Sequence, residues 1–283
     1  MRLQKTIFCL CACLTLTLAA CSGIPDRQAM VIKSAEQSGF TREIIPGEIF
    51  SLTTFRKQTN QDIALLVIYV EGDGFAFQRK GLLSPDPTPH SMITLALAEK
   101  DPHPSVMYIA RPCQYLTDDA LKTCDPKYWS THRYSEDVIA SIDSAINHAA
   151  SGYKSIALIG YSGGGAVAVL IAARRTDVAW LVTIAANLDH KFWTHLHQIT
   201  PLSGSLNAAD FAESTQHLRQ LHLVGERDKV VPFEVTKAFL SRMTNHSRVT
   251  VKTVPAFDHE CCWVRDWPEL ACMVNGDASY CVK

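Results

Sequence analysis

From residue 63 onward the chain alternates short, nearly unbroken apolar runs with longer stretches of helical pattern. The apolar runs cover residues 63–70, 106–110, 156–159, 181–184, 221–224 and 249–254. Runs this short, with no alternating polar side, suit strands of a parallel sheet covered on both faces. Residues 134–150 place apolar side chains at helical spacing and form the clearest predicted helix. A second helix is expected at 162–175, rich in Ala, Val and Leu and closed by Arg174 and Arg175, whose charges suit the negative end of a helix dipole. A third is expected at 232–243, and earlier in the chain residues 29–38 read as a helix and 47–56 as a strand of β-branched and aromatic residues. Strands alternating with helices predict an α/β protein, a mostly parallel central sheet with helices on both faces. Two stretches fit no simple crossover and are expected as excursions, a proline-rich one near 80–104 and one near 187–211 that carries His190, His195 and His197. With no internal repeat and no linker, residues 21–283 are expected to form one domain.

The first twenty residues change the picture of where this domain resides. Arg2 and Lys5 precede an apolar stretch from residue 7 to residue 20, shorter than the roughly 20 helical residues a bilayer requires, so the segment predicts an export signal. Leu18-Ala19-Ala20-Cys21 resembles the bacterial lipobox, which implies cleavage before Cys21 and a lipid on that cysteine. A plain secretory peptide cleaved near Ala20 is the alternative, and both place the protein outside the cytoplasm. By the resemblance, the chain is a lipid-anchored protein of the bacterial cell envelope facing the periplasm. Ser22 after the cysteine favours the outer membrane by analogy with Gram-negative sorting.

Composition then excludes several classes. Hydrophobic residues make up 47% and charged ones 19%, a balance that supports a packed core and not a disordered chain. Lys plus Arg number 27 against 28 for Asp plus Glu, without a basic run, so a nucleic-acid partner is not expected. Losing Arg2 and Lys5 with the signal leaves 25 against 28, a net charge of −3. Beyond the signal and Cys21 remain Cys113, Cys124, Cys261, Cys262, Cys272 and Cys281, an even set that reads as disulfides in an oxidising compartment. Proximity favours Cys113 with Cys124. Cys261 and Cys262 are each expected to pair with one of Cys272 and Cys281, since a bond between sequence neighbours is strained.

The candidate chemistry begins at Gly160-Tyr161-Ser162-Gly163-Gly164, between a predicted strand and a predicted helix. A serine at a sharp strand-to-helix turn needs small neighbours, and the helix N-terminus aims free N–H groups at developing negative charge. A glycine-rich turn whose serine merely caps the helix is the bland alternative. Serine alone is a poor nucleophile and needs a base and an orienting acid. Asp228 follows the run at 221–224 within Gly225-Glu226-Arg227-Asp228-Lys229-Val230-Val231-Pro232, and His259 follows the run at 249–254 within Phe257-Asp258-His259-Glu260. Glu226 and Asp189 are alternative acids, a helix cap is an alternative role for Asp228, and His246 is an alternative base.

In the order Ser, Asp, His, these three motifs resemble the α/β-hydrolase superfamily over about residues 47–262. The resemblance implies the α/β-hydrolase fold, with Ser162 as nucleophile, His259 as base and Asp228 as acid. It further implies an oxyanion hole from the N–H of Gly163 and one from the loop Glu71-Gly72-Asp73-Gly74-Phe75, Asp73 first and Gly74 second. Glu71 stands where a histidine is usual in lipases and esterases. Gly72-Asp73-Gly74 also begins a dinucleotide fingerprint, but Phe77 occupies the third glycine position, so no cofactor is expected. His190, His195 and His197, or His259 with Cys261 and Cys262, lack metal-site spacing, so no metal is expected. The expected activity is a serine hydrolase acting on a small-molecule carboxylic ester through an acyl-enzyme. The alternatives are a peptidase or amidase on short peptides, acyl transfer to another acceptor, and a non-catalytic envelope lipoprotein of the same fold.

Overall fold

A computed structural model describes residues 27–58 and 64–275. The signal segment, Cys21, Ser22 and Cys281 lie outside them. In chain order the elements are α1 (Arg27–Gln37), β1 (Thr41–Pro46), β2 (Ser51–Gln58), β3 (Leu65–Val70), β4 (Phe77–Arg79), β5 (Leu82–Leu83), α2 (Ile93–Glu99), β6 (Ser105–Ile109), α3 (Asp118–Lys122) and α4 (Glu136–Ala149). There follow β7 (Ser155–Tyr161), α5 (Gly163–Ala172), β8 (Val178–Ile184), α6 (His190–Leu196), α7 (Ala212–Thr215), β9 (Arg219–Gly225), α8 (Phe233–Leu240), β10 (Val249–Val254) and α9 (Trp263–Asn275).

Eight strands among the described residues form one sheet in the order β1-β2-β6-β3-β7-β8-β9-β10. The pairings β1 with β2 and β2 with β6 are antiparallel, and those from β6 through β10 are parallel. The predicted apolar runs are β3 and β6 to β10, of which β10 is an edge strand with only Val254 buried; in the central strands the side chains alternate between two packed layers as a pleated strand requires. Leu66, Ile68 and Val70 of β3 join Ile156 and Leu158 of β7 in the layer holding α4 and α5. Val67 and Tyr69, with Ala157 and Ile159, join the layer holding α1, α2, Trp263 and Trp267. All ten residues of α5 are buried, which explains a helix with no polar face.

Two features depart from the expected pattern. β1 was not visible in the sequence because it is an edge strand in which only Ile45 is buried, so it has no apolar run; Gly47, the expected start of the next strand, lies in the turn to β2 and donates its N–H to the Phe50 carbonyl (2.9 Å). The 80–104 stretch is an excursion only in part. After the β4–β5 hairpin it forms α2, whose buried Ile93, Leu95 and Leu97 make it the crossover between β3 and β6. From β3 the chain crosses to β6 on one side and then, through α4, to β7 on the other. The carboxyl ends of β3 and β7 therefore flank the point where strand order reverses, the usual place for a ligand crevice in an open α/β sheet.

Cys113 and Cys124 are joined by a disulfide 11 residues apart, fastening the segment after β6 to the end of α3. Closing so short a loop removes unfolded-chain entropy worth about 3 kcal/mol. The double variant Cys113→Ser/Cys124→Ser is expected to lose about that much stability in urea unfolding. An unchanged midpoint would show that the crosslink does not constrain the unfolded chain.

Candidate active site

Ser162 sits between β7 and α5 at φ +52° and ψ −122°, a conformation that residues with a side chain seldom adopt. Backbone contact on both sides holds it there. A Cβ on Gly164 would lie 2.1 Å from the Val70 carbonyl oxygen and 2.6 Å from that of Glu71, and one on Gly160 would lie 2.3 Å from the Gly164 carbonyl oxygen. Glycine is thus required where the end of β3 meets the start of α5. The Ser162 N–H donates to the Ile184 carbonyl (2.9 Å), and its side chain makes no capping bond to α5. Instead, the hydroxyl donates to Nε2 of His259 at 3.0 Å.

The opposite ring nitrogen of His259, Nδ1, donates to Oδ2 of Asp228 at 2.9 Å. Each ring nitrogen's partner assigns the tautomer with its proton on Nδ1. Asp228 is fully buried in its side chain, and its other oxygen accepts the N–H groups of Val230 and Val231, both at 2.8 Å. These bonds keep it aimed at the imidazole; Pro232, not Asp228, stands at the cap of α8. The other candidates are engaged elsewhere. Glu226 accepts the Ala256 N–H (3.0 Å), Asp189 caps α6 by accepting the Phe192 N–H (3.1 Å), and His246 contacts the Leu240 carbonyl (3.0 Å).

The loop after β3 lies against Ser162. A Cβ on Gly72 would be 3.4 Å from Cβ of Ser162. Gly74 is at φ +65°, and a Cβ there would lie 2.1 Å from the Pro87 carbonyl oxygen and 2.5 Å from the Gln114 amide nitrogen. This loop leads into the β4–β5 hairpin and not into a helix, so it offers no dinucleotide-binding helix N-terminus. The Asp73 carboxylate occupies the space beside Gly163, where a Cβ would meet its Oδ1 at 2.0 Å. It pairs with Arg133 at 2.7 Å and Arg111 at 3.4 Å and accepts the Tyr134 hydroxyl at 3.0 Å. Arg111 also donates to the Arg133 carbonyl, binding the two cations into one cluster.

Two carboxyls flanking Gly72 are pushed in opposite directions. Burial pushes the Glu71 carboxyl up, against hydrogen bonds from the Thr94 and Tyr108 hydroxyls and the Gly72 N–H. Burial would also raise Asp73, but the guanidinium groups of Arg133 and Arg111, with bonds from Arg133 and Tyr134, outweigh it and hold the carboxyl below its usual range.

The disulfide expectation at the turn after His259 requires correction. Cys261 and Cys262 are bridged to each other, so neither pairs with Cys272 or Cys281. Asp258 folds the turn tightly: its carboxylate accepts the N–H groups of Glu260 (3.0 Å) and Cys261 (2.7 Å), and its own N–H donates to the Cys261 carbonyl (3.0 Å). Across the cis peptide that follows, the two Cα atoms are 3.1 Å apart, while Cys272 lies further on in α9 with its thiol on the Pro268 carbonyl. His190, His195 and His197 belong to α6 and its C-cap. Among the described residues no group of three His, Cys, Asp or Glu side chains could hold a metal ion.

Arg111, Arg133, Tyr134, Tyr161 and Trp263 were missed in the sequence. The one signal available was position, since Arg111 lies two residues beyond the end of β6, whose carboxyl end adjoins that of β3, and Tyr161 directly precedes Ser162.

The model for the PGAP1-like alpha/beta domain matches residues 117–269, more than half of the 283 residues. The chain belongs to the PGAP1-like alpha/beta domain family. The matched part of this PGAP1-like chain contains Ser162, Asp228 and His259 but not the loop of Asp73. No curated protein sequence matches it significantly. Among solved structures it is similar to Est1E from Butyrivibrio proteoclasticus (TM-score 0.55, 14% identity, covering 79% of this chain and 93% of that one). It is also similar to an esterase from Pyrococcus furiosus (TM-score 0.54, 14% identity, 84% of this chain and 89% of that one). A puromycin-hydrolysing peptidase from Mycobacterium tuberculosis aligns at TM-score 0.59 and 15% identity over 82% of this chain and 38% of its own. The fold is the α/β-hydrolase fold.

The Asp73 cluster yields a pH prediction. The folded carboxyl titrates below its unfolded value of 3.8, so its contribution is complete above that value and is lost as pH falls through the lower, folded one. Asp73→Asn leaves two buried guanidinium groups without their anion and is expected to cost about 3 kcal/mol at pH 7. Thermal melts from pH 7 down to about 2 should show the variant losing less than wild type below about pH 4. Equal stability at pH 7 would refute this.

Proposed function

We propose that the protein is a serine hydrolase that cleaves a carboxylic ester of modest size through an acyl-enzyme. The observation that carries this reading is the unbroken relay from Ser162 Oγ to His259 Nε2 (3.0 Å) and from His259 Nδ1 to Asp228 (2.9 Å). Ser162 Oγ attacks the ester carbonyl while Nε2 takes its proton, and the buried Asp228 carboxylate holds the ring and stabilises the imidazolium. The new C–O bond drives the carbonyl electrons onto oxygen, where the N–H groups of Gly163 and Asp73 stabilise them. Both N–H groups are without an acceptor among the described residues, and the Gly74 N–H is the second choice for the loop donor. The tetrahedral intermediate expels the alcohol, which takes the proton from His259, and water then repeats the sequence to free the acid. Arg111 and Arg133 neutralise the Asp73 carboxylate that would otherwise repel the oxyanion.

The modest substrate size rests on the stretch after β8, which carries the seven-residue α6 and a Ser203-Gly204-Ser205 turn in place of a long apolar lid. The lipobox-like Leu18-Ala19-Ala20-Cys21 supports a lipid anchor and a site facing the periplasm, with Ser22 favouring the outer membrane. Among the described residues no helix is long and apolar enough to cross a membrane.

The test compares purified mature protein on short-chain esters, long-chain esters and aminoacyl amides, with and without an added alcohol, alongside labelling by a fluorophosphonate. Short-chain esters are expected to turn over fastest, Ser162→Ala to abolish labelling, and Asp228→Asn to lower kcat about 10⁴-fold. Faster amide cleavage would make it a peptidase or amidase, and ester products of the added alcohol would make it an acyltransferase. Absent labelling and turnover would leave a non-catalytic protein.

A further inference from the structure

The base stands on an exposed turn. Asp258, Glu260 and Cys261 are exposed, and so are Pro255 and Ala256 between β10 and this turn. A relay contact of 3.0 Å needs the His259 backbone to be held against the Ser162 turn by something firmer than the imidazole's own two bonds.

The His259 carbonyl accepts two side-chain donors. One is the Tyr161 hydroxyl at 2.9 Å and the other is Nε1 of Trp263 at 3.0 Å, which also reaches the Asp258 carbonyl at 3.2 Å. Most main-chain carbonyls are satisfied by other main-chain groups, so a carbonyl that takes both donors from side chains marks a place where side chains set the backbone. Trp263 is fully buried at the start of α9 and packs edge-on against Phe257 at 4.8 Å, anchoring one donor in the core. Tyr161 is the last residue of β7, covalently next to the nucleophile. Its ring centroid is 5.4 Å from the imidazole's, and its Cδ1 is 3.5 Å from where a Gly72 Cβ would stand. One ring therefore touches the turn of the base and the loop beside the oxyanion position. Burial, with the nearby carboxylates of Glu260, Glu71, Asp228 and Asp258, pushes the phenol up, which keeps it a donor at neutral pH.

We propose that Tyr161 is a positioning residue whose hydroxyl ties the main chain of the base to the nucleophile's own turn and so fixes the distance across which the proton passes. The proposal rests on the serine-hydrolase reading. Removing the hydroxyl leaves all three relay side chains present and lets the base's turn shift, and small displacements of reacting groups lower turnover steeply.

The test uses the full mature chain as Tyr161→Phe, with Trp263→Phe as a second variant that deletes the other donor to the same carbonyl. Active sites are first counted by the endpoint of fluorophosphonate labelling, and kcat and KM on a short-chain ester are then expressed per labelled site. A merely structural tyrosine lowers the number of titratable sites and leaves turnover per site unchanged. A positioning tyrosine lowers kcat per site about 10-fold, slows labelling in proportion and leaves KM within about twofold. Trp263→Phe should lower kcat per site in the same direction, so a folding failure of either variant leaves the other to decide. Wild-type labelling with unaltered kcat per site in the folded variant would overturn the tether while keeping the relay. If wild type itself were unlabelled and inactive while Ser162→Ala behaved identically, the relay and the tether would fall together.

Discussion

The structure depends on one steric constraint, the meeting of main chain with main chain where the end of β3 touches the start of α5. Ser162 is held at a positive φ that costs roughly 1–3 kcal/mol, and only an over-determined surrounding keeps a residue there. That surrounding is made of backbone: the carbonyls of Val70 and Glu71 press on Gly164, and the Gly164 carbonyl presses on Gly160. The same contact sets the loop of Glu71 to Gly74 beside Ser162. Ser162 and the loop after β3 are thus placed by a single packing event in the sheet's centre, between two apolar layers that cannot readily yield.

An acidic residue beside Gly163 would oppose the proposed oxyanion, and the structure sets two arginines against it. Asp73 is neutralised from one side by Arg111, arriving from β6, and from the other by Arg133, arriving just before α4. One residue away across Gly72, Glu71 is satisfied differently, by two hydroxyls and an amide, with burial pushing it up. The two carboxyls brace the loop from opposite faces. Glu71 fastens the Gly72 N–H toward the layer of α2, whereas Asp73 fastens the loop toward Gly163 and α4.

What could be read from the sequence follows from where the information lies. The central strands were legible because burial on both faces leaves an unbroken apolar run, and Ser162, Asp228 and His259 because each stands in a local motif after such a run. β1 was not, because its side chains meet solvent, and α2 was hidden by the prolines before and after it. Arg111, Arg133 and Tyr134 carry no local signature; their meaning arises only when β6 lies beside β3. The cysteine pairing failed for a physical reason too. The rule against bridging neighbours presumes an ordinary extended backbone, and the Asp258-capped turn supplies a different one.

Ser162, Asp228 and His259 differ in how much sheet stands behind them. Ser162 follows a strand paired on both sides, and Asp228 follows β9, also paired on both sides, but β10 is the sheet's edge and His259 lies beyond its end. An edge strand transmits position poorly, since half of its main-chain groups face solvent. The tethers of the base accordingly come from outside β10: Asp228 on its ring, Trp263 from α9 on its carbonyl, and Tyr161 from the most central strand pair on the same carbonyl. Precision at the sheet's rim is thereby borrowed from its middle. In the proposed tether the His259 carbonyl is therefore held from two sides, by Tyr161 beside Ser162 and by Trp263 at the start of α9.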